Sequence, residues 1–281
     1  MSIAFISSYF NFTDSKKIQD NYIEFRKHFP YTLYTAELAL DHQRFFIDDS
    51  IKFTATSNNI AWQKERLLNL LINDLPNSTE IIVWVDADII FNNNNLIKDI
   101  DKALQVHPVA QSFEEVFENG YNSTHNRISF AKDYLNEDKQ NWPAIGFSWA
   151  IRKEVIDNGL FDSDILGNND ALQLIAWLGL WDHQQVMALP PKLRKKYLLW
   201  ALKNNENVQG NIGCIKGKIQ HLYHGQAVNR QYWEKNKILQ KHLYDPEKHS
   251  TYSTNGLIEI LPNQDLKNDI YQYFIDRKDD E

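Results

Sequence analysis

The chain has 281 residues, of which 43% are hydrophobic and 13% aromatic, so it has ample apolar material for a sizeable folded core. Its formal net charge of -7 argues against a general nucleic-acid binder, because affinity for the phosphate backbone requires a basic surface. Cys214 is the only cysteine, which excludes an intrachain disulfide and a zinc site built from cysteines.

The first half of the chain is predicted to alternate strands and helices. We predict a strand from Ile3 to Ser7, a helix from Lys16 to Phe29, a second strand within Tyr31 to Leu40, and a helix from Ala61 to Leu75. The apolar run Ile81 to Val85 then predicts a strand that is buried on both faces. This alternation predicts an α/β fold with a mixed, mostly parallel sheet flanked by helices.

The second half shows weaker patterns. Asn95 is expected to cap a helix from Leu96 to Leu104, and residues 107–143 show little periodicity. The later predictions are an apolar stretch from Ala144 to Ile151, a helix from Ala171 to Leu180, a basic amphipathic segment from Lys192 to Lys203, and a helix that begins near Asn229. No internal repeat or linker interrupts the chain, so we predict one domain.

Two aspartates, Asp86 and Asp88, follow the buried strand with one residue between them. Ligands collect beyond the carboxyl ends of strands in open α/β sheets, and Mg2+ and Mn2+ favour oxygen ligands. The spacing therefore predicts a divalent-metal site, with both carboxylates on one face unless a turn begins at Ala87. The alternative is a solvated strand end.

A second candidate is the segment His221-Leu222-Tyr223-His224-Gly225. Histidine is the commonest nitrogen ligand of transition metals. Residues three apart lie on opposite faces of a strand, so we predict that only one of these histidines binds the ion while the other packs or orients. For each histidine alone, a hydrogen-bonded structural role is the alternative.

The third candidate is Gly167-Asn168-Asn169-Asp170, a polar loop directly before an apolar helix. Asp170 could cap that helix and complement its dipole. It could equally be a general base that accepts a proton from an attacking hydroxyl. The residues themselves leave both roles open.

These segments occur in the order found in metal-dependent glycosyltransferases of the GT-A fold, and the resemblance spans most of the chain. Val85-Asp86-Ala87-Asp88 stands at the place of the Asp-x-Asp motif of that superfamily. The segment Gly146 to Arg152, followed by Gly159-Leu160-Phe161-Asp162 and by Gly167 to Asp170, is similar to galactosyltransferase-like and polymerase-type members. The fold implied by the resemblance is the Rossmann-like GT-A fold.

The resemblance also implies roles for individual residues. Asp88 would be the direct ligand of Mn2+ or Mg2+, Asp86 would contact the ribose or a metal-bound water, and Asp170 would be the base. The metal shell would be completed by His224, with His221 as the second choice. Asn169 stands where many relatives carry a carboxylate, beside the base and the acceptor.

Further residues are assigned to the donor and the acceptor. The resemblance suggests nucleotide contacts for Lys64, Arg66 and Asn69, and a nucleobase pocket lined by Ser7, Ser8 and Tyr9. Trp142, Trp149 and Trp181 could each stack on a sugar ring, although tryptophans in apolar segments more often belong to the core. A core position is preferred for Trp181, and Trp149 is the preferred acceptor contact. Residues 1–91 would form the nucleotide half, 92–245 the acceptor half and 246–281 a C-terminal extension.

The activity implied is transfer of a hexose from a UDP-sugar to a hydroxyl of a saccharide or glycan, with inversion. Two alternatives remain open. One is a non-catalytic module that binds saccharide or sugar nucleotide on the same fold. The other is a sugar nucleotidyltransferase, although no glycine-rich basic phosphate loop follows the first strand. A loop over the donor is expected within Glu118 to Lys139 or after His224.

We expect a cytoplasmic protein, because a chain with one cysteine forms no intrachain disulfide, and the first residues also lack the pattern of a secretory leader. No apolar segment has the length of a membrane span, so membrane contact would be peripheral, at the inner face. The basic segment Lys192 to Lys203 is interpreted as a solvated helix with a buried stripe of leucine and tryptophan. The alternative is contact with an anionic membrane or with the phosphate of a lipid-linked acceptor.

Overall fold

The structure is a computed structural model that describes residues 2–119, 124–135, 143–232 and 234–281. Trp142 and parts of the segment from Glu118 to Lys139 lie outside these residues. The strands are β1 (Ile3–Phe10), β2 (Leu33–Leu40), β3 (Ile51–Ala55), β4 (Ile81–Val85), β5 (Ile89–Asn92), β6 (Val109–Gln111), β7 (Glu115–Asn119), β8 (Thr124–Ile128), β9 (Ser148–Arg152), β10 (Ile212–Cys214), β11 (Lys218–His221), β12 (Ser250–Tyr252) and β13 (Ile258–Ile260).

The α-helices lie between and after these strands. They are α1 (Lys16–His28), α2 (Lys64–Asp74), α3 (Leu96–Val106), α4 (Phe130–Leu135), α5 (Asn169–Leu178), α6 (Gln184–Met187), α7 (Pro191–Asn205), α8 (Lys235–Lys241), α9 (Pro246–His249) and α10 (Gln264–Asp276).

The main sheet has the strand order β10-β6-β9-β4-β1-β2-β3. Strands β4, β1, β2 and β3 run parallel, whereas β9 is antiparallel to both of its neighbours, β4 and β6. The predicted fold class, α/β with a mixed and mostly parallel sheet flanked by helices, is confirmed.

Strand β4 shows why the sequence needs an uninterrupted apolar run at the centre of the sheet. Ile82 and Trp84 enter the core that contains α2, α5 and α7, while Val83 and Val85 enter the core that contains α1 and α3. Successive side chains of a strand point to opposite faces, so a strand covered on both sides must be apolar at every position.

A smaller sheet, in the order β5-β11-β7-β8, lies directly after the end of β4. Strand β11 pairs antiparallel with β5 and parallel with β7. In this register His221 lies opposite both Ile89 and Glu118. The small sheet therefore brings three distant parts of the chain to the end of the central strand.

Several predicted boundaries are corrected. Strand β1 continues to Phe10, because its last residues still pair with β2. Helix α5 begins at Asn169, two residues before the predicted start, which places Asp170 inside its first turn. The helix expected near Asn229 is a 3-10 turn from Ala227 to Arg230, and the following α-helix begins at Lys235.

Helix α7 has the predicted buried stripe, with Leu193 in the core and Leu198 and Trp200 packed against it, and its solvated side also carries two leucines. Leu193 and Tyr197 are buried, but Leu199 is 60% and Leu202 51% exposed. The exposed side also carries Lys192, Lys195, Lys196 and Lys203. Among the described residues, none of the helices has the length and hydropathy that crossing a bilayer requires.

Candidate metal centre and active site

The two aspartates of the Asp-x-Asp segment point to different partners. Strand β4 ends at Val85, and a turn at Ala87 and Asp88 precedes β5. The turn at Ala87 is the exception that the sequence analysis allowed for, and the two carboxylates accordingly do not share one face. Asp86 Oδ1 lies 2.7 Å from Lys64 Nζ, whereas Asp88 Oδ2 lies 2.8 Å from His224 Nε2.

Asp88, His221 and His224 converge on one point. One possible ligand atom from each lies within 4.8 Å of the others. The Nε2 atoms of the two histidines are 3.2 Å apart, and His221 Nε2 lies 3.5 Å from Asp88 Oδ2. Asp88 Oδ1 is buried and has no hydrogen-bond partner among the residues that the structure describes. Two imidazole nitrogens beside an unpartnered carboxylate oxygen fit a divalent transition-metal ion such as Mn2+ better than Mg2+, which prefers oxygen.

The prediction that only one of the two histidines binds the ion rested on placing them on opposite faces of a strand, whereas both in fact offer a nitrogen to the same point. It assumed that both histidines belong to one strand, but β11 ends at His221 and residues 222–224 leave the sheet. The backbone N–H of Leu222 donates to Asp88 O at 2.8 Å, which holds the departing chain against the turn that carries Asp88. His224 is thereby brought to the same side as His221.

Each histidine presents its other nitrogen to a carboxylate. His221 Nδ1 lies 3.6 Å from Glu118 Oε1, and His224 Nδ1 lies 3.6 Å from Asp279 Oδ1. Burial disfavours the charged form of His221, but the Asp88 and Glu118 carboxylates outweigh burial and raise its pKa to about 9. Nothing in the sequence pattern singles out Glu118 or Asp279, because each meets its histidine only through the tertiary fold.

Arg230 is a further residue at the site that the sequence analysis missed. Its Nη2 lies 2.7 Å from His224 Nδ1 and 3.0 Å from His224 Nε2. The same Nη2 donates to the carbonyl oxygen of His224 at 2.6 Å. Burial and the Arg230 charge lower the pKa of His224. The only sequence signal for Arg230 is a basic residue shortly after the histidine segment.

Lys64 joins the Asp-x-Asp segment to the base candidate. Its ammonium group contacts Asp86 Oδ1 at 2.7 Å and Asp170 Oδ2 at 3.1 Å. Burial opposes the charge of Lys64, but Asp170 and Asp86 outweigh it and raise the pKa of Lys64. Burial also raises the pKa of Asp86, to about 6, against the effect of Lys64. Gly146 leaves room for the Asp170 carboxylate, since a Cβ at position 146 would lie 2.9 Å from Asp170 Oδ2.

Asp170 does not cap the helix that follows it. The N-cap residue of α5 is Asn168, and the Asp170 carboxylate lies 36% exposed beside Lys64. Asn169 is buried and donates to Glu65 Oε2 at 2.8 Å. Burial raises the pKa of Glu65 to about 8. Asn169 thus links the loop that carries Asp170 to helix α2. Its own side chain is buried and is not accessible to an acceptor.

The other two residues predicted on α2 lie away from this site. Arg66 donates to Gly256 O and stacks 3.9 Å from the ring centroid of Tyr252, while Asn69 donates to Leu160 O at 2.9 Å. At about 100° per residue, they lie roughly 200° and 140° around the helix from Lys64. Both line a separate cavity of about 510 Å3. The structure therefore does not bring them to the candidate metal ligands.

The predicted nucleobase and acceptor residues are largely internal. Ser7 is buried and donates to Val85 O at 2.8 Å, Tyr9 is buried against Phe46, and Ser8 is half-buried. Trp149 is 3% exposed, and its indole N–H donates to Ile145 O. The prediction that Trp149 stacks on an acceptor sugar is therefore corrected, because β9 directs the ring into the core.

No family model and no curated protein matches the chain. Solved structures that resemble it include GT-A-type glycosyltransferases, the type to which the sequence shows its resemblance. Staphylococcus aureus TarS 1–349 is 11% identical with a TM-score of 0.44, covering 99% of this chain and 71% of that chain.

Two further similar structures are complexes. Glucosyl-3-phosphoglycerate synthase from Mycobacterium tuberculosis, with Mn2+, UDP and phosphoglyceric acid, is 10% identical with a TM-score of 0.41, covering 93% of this chain and 87% of that chain. A Drosophila beta-1,4-galactosyltransferase 7 variant, with manganese, UDP-Gal and xylobiose, is 10% identical with a TM-score of 0.42, covering 96% and 98% respectively.

Proposed function

We propose that the protein is a metal-dependent glycosyltransferase that moves a hexose from a UDP-sugar to a hydroxyl of a saccharide, with inversion at the anomeric carbon. The observation that carries this proposal is the convergence of Asp88, His221 and His224 beside Lys64, Asp86 and Asp170. The order of the motifs along the sequence supports the same activity.

The proposed ligands are Asp88, His221 and His224, and their two imidazole nitrogens favour a transition-metal ion over Mg2+, with Mn2+ as the proposed ion. A divalent ion held there would act as a Lewis acid for the negative charge that develops on the diphosphate when the glycosidic bond to it breaks. We assign Arg230 to the same diphosphate, because its guanidinium group lies beside the ligand atom of His224.

Asp170 is the proposed base. Its carboxylate is partly exposed at the start of α5, so an acceptor hydroxyl can reach it, and Lys64 holds it in place. Removal of the hydroxyl proton as the oxygen attacks the anomeric carbon makes a single displacement, which inverts the configuration. Asp86 contacts Lys64, whereas Asp88 lies beside the two histidines, so we assign the metal to Asp88. Asp86 is proposed to support the donor site through Lys64.

A saccharide acceptor linked to a lipid would suit the exposed side of α7. This side combines the lysines Lys192, Lys195 and Lys196 with the exposed leucines Leu199 and Leu202 on a chain of net charge -7. Basic and apolar residues on one helix are typical of contact with an anionic lipid surface. We propose peripheral membrane contact through α7 in a cytoplasmic protein.

The test uses the purified chain with Mn2+, a panel of UDP-sugars and a set of saccharide acceptors, and measures released UDP. We expect UDP release with at least one donor, and its loss in Asp88→Asn, while exposed Asp182→Asn serves as the matched control. Donor binding without turnover would favour the non-catalytic module. Pyrophosphate release from a nucleoside triphosphate and a sugar phosphate would favour the nucleotidyltransferase. If neither Mn2+ nor any UDP-sugar raised the melting temperature, the site itself would be wrong.

A further inference from the structure

Each of the two proposed metal-binding histidines has a carboxylate beside its Nδ1 atom, on the side away from the ion, and His224 Nδ1 also has Arg230 beside it. The Nδ1 atom of His221 faces Glu118 Oε1, and the Nδ1 atom of His224 faces Asp279 Oδ1, in both cases at 3.6 Å. Glu118 belongs to β7, whereas Asp279 follows α10. Two distant segments therefore supply the same kind of group in the same position.

An arginine holds each of these carboxylates. Arg127 Nε and Nη2 donate to the two oxygens of Glu118 at 2.7 and 2.8 Å. Arg277 Nε and Nη2 donate to the two oxygens of Asp279 at 3.3 and 3.2 Å, and both residues of this pair are buried. Paired donation of this kind fixes the plane and the direction of a carboxylate.

The backbone after His224 is shaped to let residues 277–279 approach. Gly225 has φ +79°, and a Cβ at this position would lie 2.9 Å from the carbonyl oxygen of Lys278. Only glycine adopts this conformation readily and leaves the space open. The contact between Asp279 and His224 is thus part of a close-packed arrangement of two backbone segments.

The ring nitrogen that carries the proton determines whether the facing carboxylate can accept a hydrogen bond from the imidazole. A neutral histidine that gives its Nε2 lone pair to a cation carries its proton on Nδ1, so the group that faces Nδ1 must accept a hydrogen bond. Glu118 and Asp279 can accept it. Arg230, whose Nη2 lies 2.7 Å from His224 Nδ1, can only donate. The same Nη2 also lies 3.0 Å from His224 Nε2, so a metal bound at Nε2 would require Arg230 to move off both ring nitrogens, which leaves Nδ1 to Asp279.

We infer that Glu118 and Asp279 are positioning residues, which hold His221 and His224 in the Nδ1–H tautomer with Nε2 directed to the metal, and that Arg127 and Arg277 orient the two carboxylates. This inference rests on the metal site of the proposed function. It adds the residues that set the affinity of that site without touching the ion.

The first experiment measures Mn2+ affinity from the electron paramagnetic resonance signal of free Mn2+. We expect Glu118→Gln and Asp279→Asn each to weaken binding about 10- to 100-fold. Exposed Glu206→Gln and Asp182→Asn are matched controls and should bind as the wild type does. The conservative variants Glu118→Asp and Asp279→Glu retain an acceptor and should recover part of the affinity.

The second experiment separates positioning from a purely structural role. With diamagnetic Zn2+ as the probe, 15N spectra of the wild-type histidine rings should show a proton on Nδ1 of both His221 and His224. A proton on Nε2 of either ring would overturn the inference. So would variants that only melt earlier while binding Mn2+ with unchanged affinity.

The outcomes also distinguish this inference from the proposed function. If wild type binds Mn2+ and Asp88→Asn does not, but Glu118→Gln and Asp279→Asn bind normally, only the positioning role fails. If the wild type binds no Mn2+, the proposed metal site and the positioning role fail together. If Mn2+ binding behaves as expected but no UDP-sugar is turned over, the metal site and its supports stand without the transferase activity.

Discussion

The ammonium group of Lys64 lies 2.7 Å from Asp86 Oδ1, at the end of the central strand of the main sheet. The same nitrogen lies 3.1 Å from Asp170 Oδ2. One buried cation thus links a carboxylate of the Asp-x-Asp segment to the proposed base. Without it, two carboxylates would face each other in a poorly solvated site, which is unfavourable for both charges.

We expect Lys64→Met to lower the free energy of unfolding by roughly 2 to 3 kcal/mol. Loss of one partner of a fully buried ion pair costs about 3 to 5 kcal/mol, and partial exposure of Asp170 reduces this cost. Chemical denaturation at neutral pH gives the measurement, with Lys64→Arg as the charge-conserving control. Equal destabilisation by both variants would show that packing, and not the charge, is what Lys64 contributes.

The role proposed for Asp170 can be tested by measuring the rate of sugar transfer. Asp170→Asn should lower the rate of sugar transfer about 100- to 10,000-fold, which is the usual contribution of general base catalysis. Mn2+ affinity should stay within a factor of about two, because Asp170 is not among the converging metal ligands. Initial rates at saturating donor, together with Mn2+ titration, measure the two effects. A variant that transfers at the normal rate would remove Asp170 from the mechanism.

Glu65 predicts a pH dependence of stability. Burial raises its pKa to about 8, against an ordinary value of 4.5. Between these values the folded state retains a proton that the unfolded state has released, so this residue makes the free energy of unfolding fall as pH rises from about 4.5 to about 8. Its contribution levels off above that range.

The variant Glu65→Gln tests whether Glu65 makes the free energy of unfolding fall as pH rises. The amide oxygen can still accept from Asn169, but the side chain no longer titrates. Relative to wild type, the variant should therefore gain stability progressively between pH 5 and pH 8, as measured by thermal melts. Exposed Glu206→Gln should track the wild type at every pH. A difference between Glu65→Gln and wild type that is constant with pH would contradict the raised pKa.

The exposed side of α7 predicts binding to lipid vesicles. Vesicles that contain anionic phosphatidylglycerol should sediment the protein, whereas phosphatidylcholine vesicles should not. Replacing Leu199 and Leu202 together by serine should weaken this binding about tenfold or more, because two exposed leucines lose their apolar contact with lipid. Leu135→Ser, at a leucine that is 55% exposed on α4, is the control. Equal loss in the control, or no binding to anionic vesicles, would exclude α7 as the contact.

Much of the fold followed from local patterns. The apolar run of β4 identified a strand covered on both faces, and helical spacing identified α1, α2 and α3, because these signals depend only on neighbouring residues. Short strands such as β5, β6 and β11 were not predicted. Each has three or four residues, and pairing with distant strands defines it more than its own composition does.

The residue types available for chemistry, an Asp-x-Asp segment after a buried strand and two histidines far along the chain, can be read directly from the sequence. How these residues are used depends on the folded chain. It separated Asp86 from Asp88 at a turn and brought His221 and His224 to the same point. It also placed Glu118, Arg230 and Asp279 around them. The physical reason is that these contacts arise from the pairing of β11 with β5 and β7 and from the packing of residues 277–279 on Gly225. No local pattern of residues encodes such long-range contacts.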